Sequence, residues 1–136
     1  GMKAKIIGGD GWSNPEIITL GGAALEGTYF IAQTGLGDPA IGSFVAEYRS
    51  KFGQDPVLPN AALAVDGLMM LIEAIKKADG TDPVKIARQL AALKDTQVLT
   101  GRLSIDPLTN SPQNRSAVVQ EIRGGQFVYR TKIAAD

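Results

Sequence analysis

Hydrophobic residues recur with two different periods along the chain, and the two periods predict a mixture of helices and strands. Spacing of three and four residues, together with helix-start signals, is typical of helices, whereas alternation and short β-branched or aromatic runs are typical of strands. The predicted helices cover residues 15–20, 39–52, 60–78 and 83–93. The predicted strands cover residues 3–7, 27–32, 101–106, 116–123 and 126–132. This order indicates an α/β chain, although three successive helices are unusual for one complete parallel sheet.

The helix over residues 60–78 has the longest apolar stripe. Its predicted core-facing residues share helical spacing and are Ala61, Ala64, Val65, Leu68, Leu71, Ile72 and Ile75. Glu73 and Lys77 are predicted on the opposite face. The run over residues 27–32 is apolar throughout, which predicts a strand buried on both faces. Gly124-Gly125, between two strand patterns, predicts a tight hairpin.

A glycine-flanked acidic turn, Gly8-Gly9-Asp10-Gly11-Trp12, follows the first predicted strand. The next helix begins in one of two registers, either with a capping box that starts at Ser13 or with an Asn14-Pro15 start. Both registers leave Asp10 in the loop at the carboxyl end of a strand, where open α/β sheets bind ligands. Its carboxylate is therefore either a ligand contact or an acceptor for nearby backbone N–H groups. Trp12 either forms an apolar wall beside it or packs on its own sheet.

Composition narrows the chemistry that this chain can perform. Fourteen Lys and Arg balance fourteen Asp and Glu without blocks of one sign, so neither nucleic acid nor an anionic membrane is an expected partner. There is no Cys or His, which excludes thiolate chemistry, imidazole chemistry and the usual zinc sites. The longest apolar run, residues 61–72, is far shorter than the roughly 20 residues of a membrane span. The length of 136 residues predicts a single folded unit over residues 2–136, with Gly1 a tag remnant.

Several motif matches have simpler explanations than a functional site. The run from Gly35 to Ala40 fits the glycine pattern of dinucleotide sites, but Asp38 is a predicted helix cap whose charge would repel phosphate. Met69-Met70 is predicted to fill the core. Five acids are expected to be exposed helix-face or capping residues: Glu16, Glu26, Asp66, Asp79 and Asp82. No catalytic motif is present, so we expect no enzyme activity, catalytic residue, metal or cofactor.

Six segments carry a resemblance to a known family when they are taken in order. They are IIGGDG (6–11), GAALEGTYF (22–30), FVAEYRSKFG (44–53), VDG (65–67), TGRLSID (100–106) and the hairpin over residues 118–129. Together they resemble the C-terminal part of the branched-chain amino-acid-binding proteins of ABC importers, which are type I periplasmic binding proteins. The resemblance covers nearly the whole chain but only the last third or so of a family member.

The resemblance implies two Rossmann-like lobes that close on a ligand. Residues 3–30 and 116–132 correspond to the second lobe, and residues 33–108 correspond to the first. The chain is therefore expected to be α/β, with incomplete Rossmann-like lobes of a type I periplasmic binding protein fold. Pieces of two lobes, rather than one complete sheet, would explain the three successive helices.

The resemblance also implies site residues. In the family, the acid after the glycines pairs with the α-ammonium group of the ligand, and that role falls on Asp10, with Trp12 shaping the pocket. Asn60 stands in the loop that enters the long helix, where an aromatic residue can pack on an aliphatic ligand. Val65 and Ser111 also depart from the family pattern, which often has Tyr and Gly there. The groups that hold the ligand's α-carboxylate are expected in upstream segments outside this chain.

The implied function is that of a fragment of a solute-binding protein, periplasmic or otherwise extracytoplasmic, that captures branched-chain amino acids or related small carboxylates for an ABC permease. The chain starts without the pattern of a secretory signal. A ligand-sensing input domain, or an assembly module that binds nothing, is the alternative on the same fold. Apolar faces on the helices that contain Phe44 and Leu68 are expected to be exposed, which predicts a homodimer that buries them.

Overall fold

The computed structural model describes residues 4–135. The helices in this range are α1 (Glu16–Gly21), α2 (Gly42–Phe52), α3 (Asn60–Ala78) and α4 (Pro83–Ala91). The strands are β1 (Ile7–Gly8), β2 (Tyr29–Ala32), β3 (Thr96–Val98), β4 (Gly101–Ile105), β5 (Pro112–Gln113), β6 (Ala117–Arg123) and β7 (Gln126–Ile133). Short 3₁₀ turns cover Asp10–Ser13, Gly22–Leu25 and Pro39–Ile41.

The first sheet combines strands from both ends of the chain. Its order is β1-β2-β6-β7, with β1 and β2 parallel and the other two pairs antiparallel. One face carries the buried residues Phe30, Ala32 and Ile122, against which α1 packs. The register pairs Ala32 with Val118, so the carboxyl end of β2 lies beside the start of β6.

The second sheet, β3-β4-β5, is antiparallel and has its own core. The buried residues of this core are Leu93, Val98, Leu103 and Ile105, with Met70 of α3 and Leu90 of α4 packed against them. The backbone N–H of Ile105 donates to the carbonyl of Leu93 at 2.8 Å, which joins β4 to the segment after α4. Met70 therefore fills the core as predicted, whereas Met69 is 37% exposed.

Local sequence signals predicted several element ends correctly. Gly53 ends α2 in the left-handed conformation, with φ of 73°. Asp38 caps the following turn by accepting a hydrogen bond from the backbone N–H of Ala40 at 3.0 Å. Gly124 and Gly125 form the β6–β7 hairpin with φ of 60° and 67°, values that favour glycine.

The predicted core stripe of α3 is wrong. Leu68, Leu71 and Ile72 are 56%, 40% and 43% exposed. The buried residues of α3 are instead three small ones and one acid: Ala62, Ala74, Ala78 and Asp66. Small side chains let a helix approach its neighbours closely, so α3 turns that face inward. Leu68, Leu71 and Ile72 therefore remain largely uncovered by the rest of residues 4–135.

Two strand predictions are also wrong in detail. β1 comprises only Ile7–Gly8 rather than residues 3–7, of which residue 3 lies outside the described part of the chain. β2 is buried on one face only, since Phe30 is 0% exposed and Ile31 is 42% exposed. Both predictions fail because the described residues supply no further strand beside β1 and no layer over Ile31. β3 and β5 were not predicted because strands of three and two residues are too short to show a period.

Candidate functional site

A cavity of about 380 Å³ lies at the carboxyl ends of β1 and β2, next to the segment that enters β6. Its lining is mostly apolar, with one carboxylate, one guanidinium, one amide and one hydroxyl. The lining residues are Asp10, Ile31, Ala32, Gln33, Pro112, Arg115, Ser116 and Ala117. The cavity therefore occupies the edge of the sheet at which open α/β folds bind ligands, the position predicted for Asp10.

The turn that carries Asp10 is held against the sheet by Trp12. The 3₁₀ turn Asp10–Ser13 follows β1, and the backbone N–H of Trp12 donates to the carbonyl of Gly9 at 3.0 Å. The indole lies so close to Gly8 that a Cβ atom there would be 2.3 Å from Trp12 Cδ2. Because only glycine leaves room for the ring, position 8 determines how the turn folds back and where it presents the Asp10 carboxylate.

The Asp10 carboxylate keeps most of its capacity to accept hydrogen bonds. Among residues 4–135, its carboxylate accepts one hydrogen bond, at Oδ1 from the backbone N–H of Gln33 at 3.4 Å. This is longer than the usual range of about 2.7–3.2 Å, so the bond is weak. A carboxylate offers about four acceptor positions. The contact with Gln33 therefore orients the side chain and leaves acceptor positions for a donor in the cavity.

Asp10 dominates the charge of the cavity because the other charged lining residue, Arg115, is already paired with the buried carboxylate of Asp66. Arg115 Nη2 donates to Asp66 Oδ2 at 3.0 Å and to Thr100 Oγ1 at 2.7 Å. Asp66 is 1% exposed, which corrects the prediction of an exposed helix-face residue. Its two oxygens also accept the backbone N–H and the hydroxyl of Thr100, at 3.0 and 2.5 Å. The uncompensated charge is then negative, which favours a cationic group in the cavity.

Of the three candidate ligand contacts, only Asp10 lines this cavity. Trp12 is half-buried and packs against the core cluster of Phe30, Ala32 and Ile122, so it lies on its own sheet and acts on the site by holding the turn. Asn60 is the exposed first residue of α3 and does not line the cavity. The described structure therefore does not bring Trp12 or Asn60 together with Asp10 around one space.

Sequence reasoning missed Gln33, Arg115 and Ser116. Gln33 follows β2 directly, and Arg115 and Ser116 precede β6, so the antiparallel pairing of these two strands brings them together. The pairing joins segments more than eighty positions apart. The strand pattern that begins at residue 116 could have identified these three residues. Pairing that strand with β2 would have placed their side chains beside Asp10.

Two absences hold for residues 4–135. No group of three or more His, Cys, Asp or Glu side chains lies close enough together to hold a metal ion. None of the helices has the length and hydropathy that a membrane crossing requires.

These features describe an α/β protein with an acid-bearing turn beside a largely apolar cavity at the edge of its sheet. In open α/β folds, this edge of the sheet is where small molecules bind. The family described as Periplasmic binding protein matches residues 1–126, and the chain belongs to that family. The members of this family are solute-binding proteins.

Curated relatives of this chain are much longer than it is. Leu/Ile/Val-binding protein homolog 2 of Brucella abortus (strain 2308) is 30% identical over 128 residues, which cover 93% of this chain and 33% of the relative. Leu/Ile/Val-binding protein homolog 1 of Brucella suis biovar 1 (strain 1330) is 31% identical over 108 residues, which cover 78% of this chain and 28% of the relative. The chain thus spans about a third of the length of the curated relatives it matches.

Solved structures confirm the predicted fold class. The leucine-binding protein LivK from Thermotoga maritima superposes with a TM-score of 0.81 at 30% identity, over 98% of this chain and 38% of that protein. The branched-chain amino-acid-binding protein LivJ from Streptococcus pneumoniae, in complex with isoleucine, gives a TM-score of 0.76 at 25% identity, over 98% of this chain and 38% of that protein. The chain therefore has the α/β fold of type I periplasmic binding proteins and covers that fold only in part.

Proposed function

We propose that this chain is the C-terminal part of a solute-binding protein that captures branched-chain amino acids or related small carboxylates for an ABC permease outside the cytoplasm. The observation that carries the proposal is the Asp10 carboxylate, which lines a largely apolar cavity and accepts only one, weak hydrogen bond within residues 4–135. The names of the Leu/Ile/Val-binding relatives and the isoleucine bound to the Streptococcus protein support this class of ligand.

The chemistry of the cavity suits an aliphatic amino acid. Asp10 offers an acceptor and a negative charge to an α-ammonium group, while Arg115 is already paired with Asp66. Ile31 and Ala117 offer an apolar surface to a hydrocarbon side chain. Asp10 alone supplies the charged contact in this scheme, and the role of the chain is binding rather than catalysis.

We further propose that the chain contains pieces of two lobes. Residues 3–30 and 116–132 would belong to one lobe and residues 33–108 to the other. In support of this division, the strands of the four-stranded sheet lie in the first and last of these ranges, apart from the ends of β2 at Ala32 and of β7 at Ile133, whereas β3 and β4 of the second sheet lie in the middle range.

Isothermal titration tests the proposed function. The chain, and any longer protein that carries it, would be titrated with leucine, isoleucine, valine and phenylalanine. We expect micromolar binding of the aliphatic amino acids by the longer protein, because the groups that hold the α-carboxylate are expected upstream of this chain. Asp10→Asn keeps the side-chain size but removes the charge opposite the ammonium group, and should weaken binding at least tenfold, or about 1.4 kcal/mol.

Asp79→Asn is the matched control. Asp79 is an exposed acid at the end of α3 in the left-handed conformation, which asparagine adopts readily, so affinity should not change. Equal affinity of the Asp10→Asn variant and the original protein would remove Asp10 from the site. If neither the chain nor the longer protein bound any of these amino acids, the proposed ligand class would be rejected.

A further inference from the structure

Asp10 and Arg115 line the same cavity of about 380 Å³, yet they form no ion pair with each other. Opposite charges within one small cavity attract, and an arginine side chain is long and flexible enough to change partners. Among residues 4–135, the Asp10 carboxylate accepts only the weak hydrogen bond from Gln33. Another group must therefore hold the guanidinium of Arg115 away from Asp10.

Asp66 is the group that holds Arg115. Arg115 Nη2 donates to Asp66 Oδ2 at 3.0 Å and to Thr100 Oγ1 at 2.7 Å. Asp66 also fixes Thr100, by accepting its backbone N–H at 3.0 Å and its hydroxyl at 2.5 Å. The Asp66 side chain is 2% exposed, and a buried, fully hydrogen-bonded pair attracts more strongly than a pair open to water. Asp66 therefore binds the guanidinium in preference to Asp10.

We propose that Asp66 is a specificity-determining residue of the cavity, although it does not line it. By holding Arg115, Asp66 leaves the Asp10 carboxylate available to an ammonium group. Without Asp66, Arg115 would pair with Asp10 and exclude that group. This inference rests on the proposed function, in which Asp10 is the ammonium contact. It assigns control of that contact to α3, 49 positions before Arg115 and outside the sheet that carries Asp10.

The test measures how the chain itself discriminates between charges. Three probes share one hydrocarbon body and differ in charge: 3-methylbutylammonium, 3-methylbutan-1-ol and 3-methylbutanoate. The chain would carry ¹³C-labelled methyl groups, and the methyl signals of Ile31, Ala32 and Ala117 report binding because these residues line the cavity. We expect the ammonium probe to bind with a dissociation constant of about 1 mM. The carboxylate probe should bind roughly tenfold more weakly or worse.

Asp66→Asn keeps the size of the side chain and removes the charge that holds Arg115. The variant should bind the ammonium probe about tenfold more weakly, and the neutral alcohol as the original chain does. Asp66→Asn/Arg115→Gln should regain the original ammonium affinity, because no guanidinium remains to pair with Asp10. If Asp66 only stabilised the fold, its loss would not change the ratio between the probes, and the second substitution would not restore it.

Two further variants keep Asp66 in place. Thr100→Val is the matched control, since it removes a hydroxyl from the same buried cluster without changing a charge. It should keep the ammonium preference, although it lowers stability. Asp10→Asn removes the contact itself and leaves the cluster intact. This variant should bind the three probes about equally, because Asp66 still neutralises Arg115.

Unchanged ammonium affinity in Asp66→Asn, or no recovery in the double variant, would overturn the role of Asp66 and leave Asp10 as the contact. Should Asp66→Asn fail to fold, Asp10→Asn decides: equal binding of the probes supports the proposal, and a preference for the carboxylate rejects it. An original chain without an ammonium preference would reject both Asp66 and Asp10. The amino-acid titration of the longer protein is a separate measurement, so the proposed ligand class can fail alone.

Discussion

Glu26 shows how one exposed side chain can join distant parts of the chain. Its two carboxylate oxygens accept the backbone N–H groups of Gly124 and Gly125, at 2.9 and 2.8 Å. These bonds tie the β6–β7 hairpin to the loop before β2. Both bonds favour the ionised carboxylate and hold the pKa of Glu26 below its ordinary value of 4.5. The bond from Gly125 has the larger effect and the bond from Gly124 the next largest.

The lowered pKa of Glu26 makes part of the stability dependent on pH. Ionised Glu26 contributes its full stabilisation above the ordinary glutamate pKa, and the contribution is lost as the pH falls through the lowered folded-state pKa. Glu26→Gln keeps the size and removes the titration. In urea unfolding from about pH 7 to about pH 3, the original chain should lose more stability than the variant, so that the two curves converge at low pH.

The control for this comparison is Glu47→Gln, which changes a surface ion pair of α2 with Lys51 at 3.0 Å. Its stability curve should stay close to that of the original chain. A constant gap between the original chain and Glu26→Gln at all pH values would show that the hairpin contact does not depend on ionisation.

At the scale of elements, a buried polar cluster joins α3 to both sheets. Asp66 of α3 bonds Thr100, in the turn between β3 and β4, and Arg115, before β6. Lys132 of β7 donates to Asp38 Oδ2 at 2.9 Å and to the carbonyl of Thr100 at 3.0 Å. Thr100 thus contacts both ion pairs. The cluster links the strands of the first sheet to the helix and strands of the middle of the chain.

Removing one member of this cluster should be costly. Asp66→Ala would leave Arg115 and the Thr100 hydroxyl without their acceptor in a buried place, and we expect the free energy of unfolding to fall by about 3–5 kcal/mol. Urea denaturation measures this change. Asp55→Ala is the matched control, since it breaks the exposed Arg49–Asp55 pair at 2.6 Å and should cost at most about 1 kcal/mol. Similar losses for the two variants would show that the cluster is not essential to the fold.

At the scale of the whole molecule, α3 carries an exposed apolar stripe. Leu68, Leu71 and Ile72 lie on one helix face and are each at least 40% exposed. Contiguous exposed apolar surface of this kind marks an interaction site. A second copy of the chain, paired through this face, would bury it, and we propose a homodimer on that basis.

Light scattering at micromolar concentration tests this homodimer. The original chain should have about twice the single-chain mass of 14.3 kDa. The double variant Leu68→Lys/Leu71→Lys places charges on the stripe and should be monomeric. Leu108→Lys, at an equally apolar residue that is 91% exposed in a turn, should remain dimeric. A monomeric mass for the original chain, or a dimeric mass for the double variant, would reject association through α3.

Much of the fold was predictable because it depends on near neighbours in sequence. The bounds of α3, the left-handed end of α2 at Gly53 and the hairpin at Gly124-Gly125 follow from periodicity and from glycine's tolerance of positive φ. The position of Asp10 after a strand and before a helix was local as well. Hydrophobic spacing alone did not predict which face of α3 is buried, because it identifies an apolar face without identifying what covers it. Only the resemblance to a longer family led us to expect that the Leu68 face is exposed, as it is.

The sequence by itself therefore determined the helices, the longer strands, their order and the acid-bearing turn, since each results from backbone preferences over a few residues. Only the tertiary structure decided that β2 pairs with β6, that Arg115 reaches the Asp10 cavity, and that Asp66 is buried beneath it. The physical reason is that such contacts join residues tens of positions apart. Their partners are selected by which surfaces and charges can be buried together, and a local pattern carries no information about that choice.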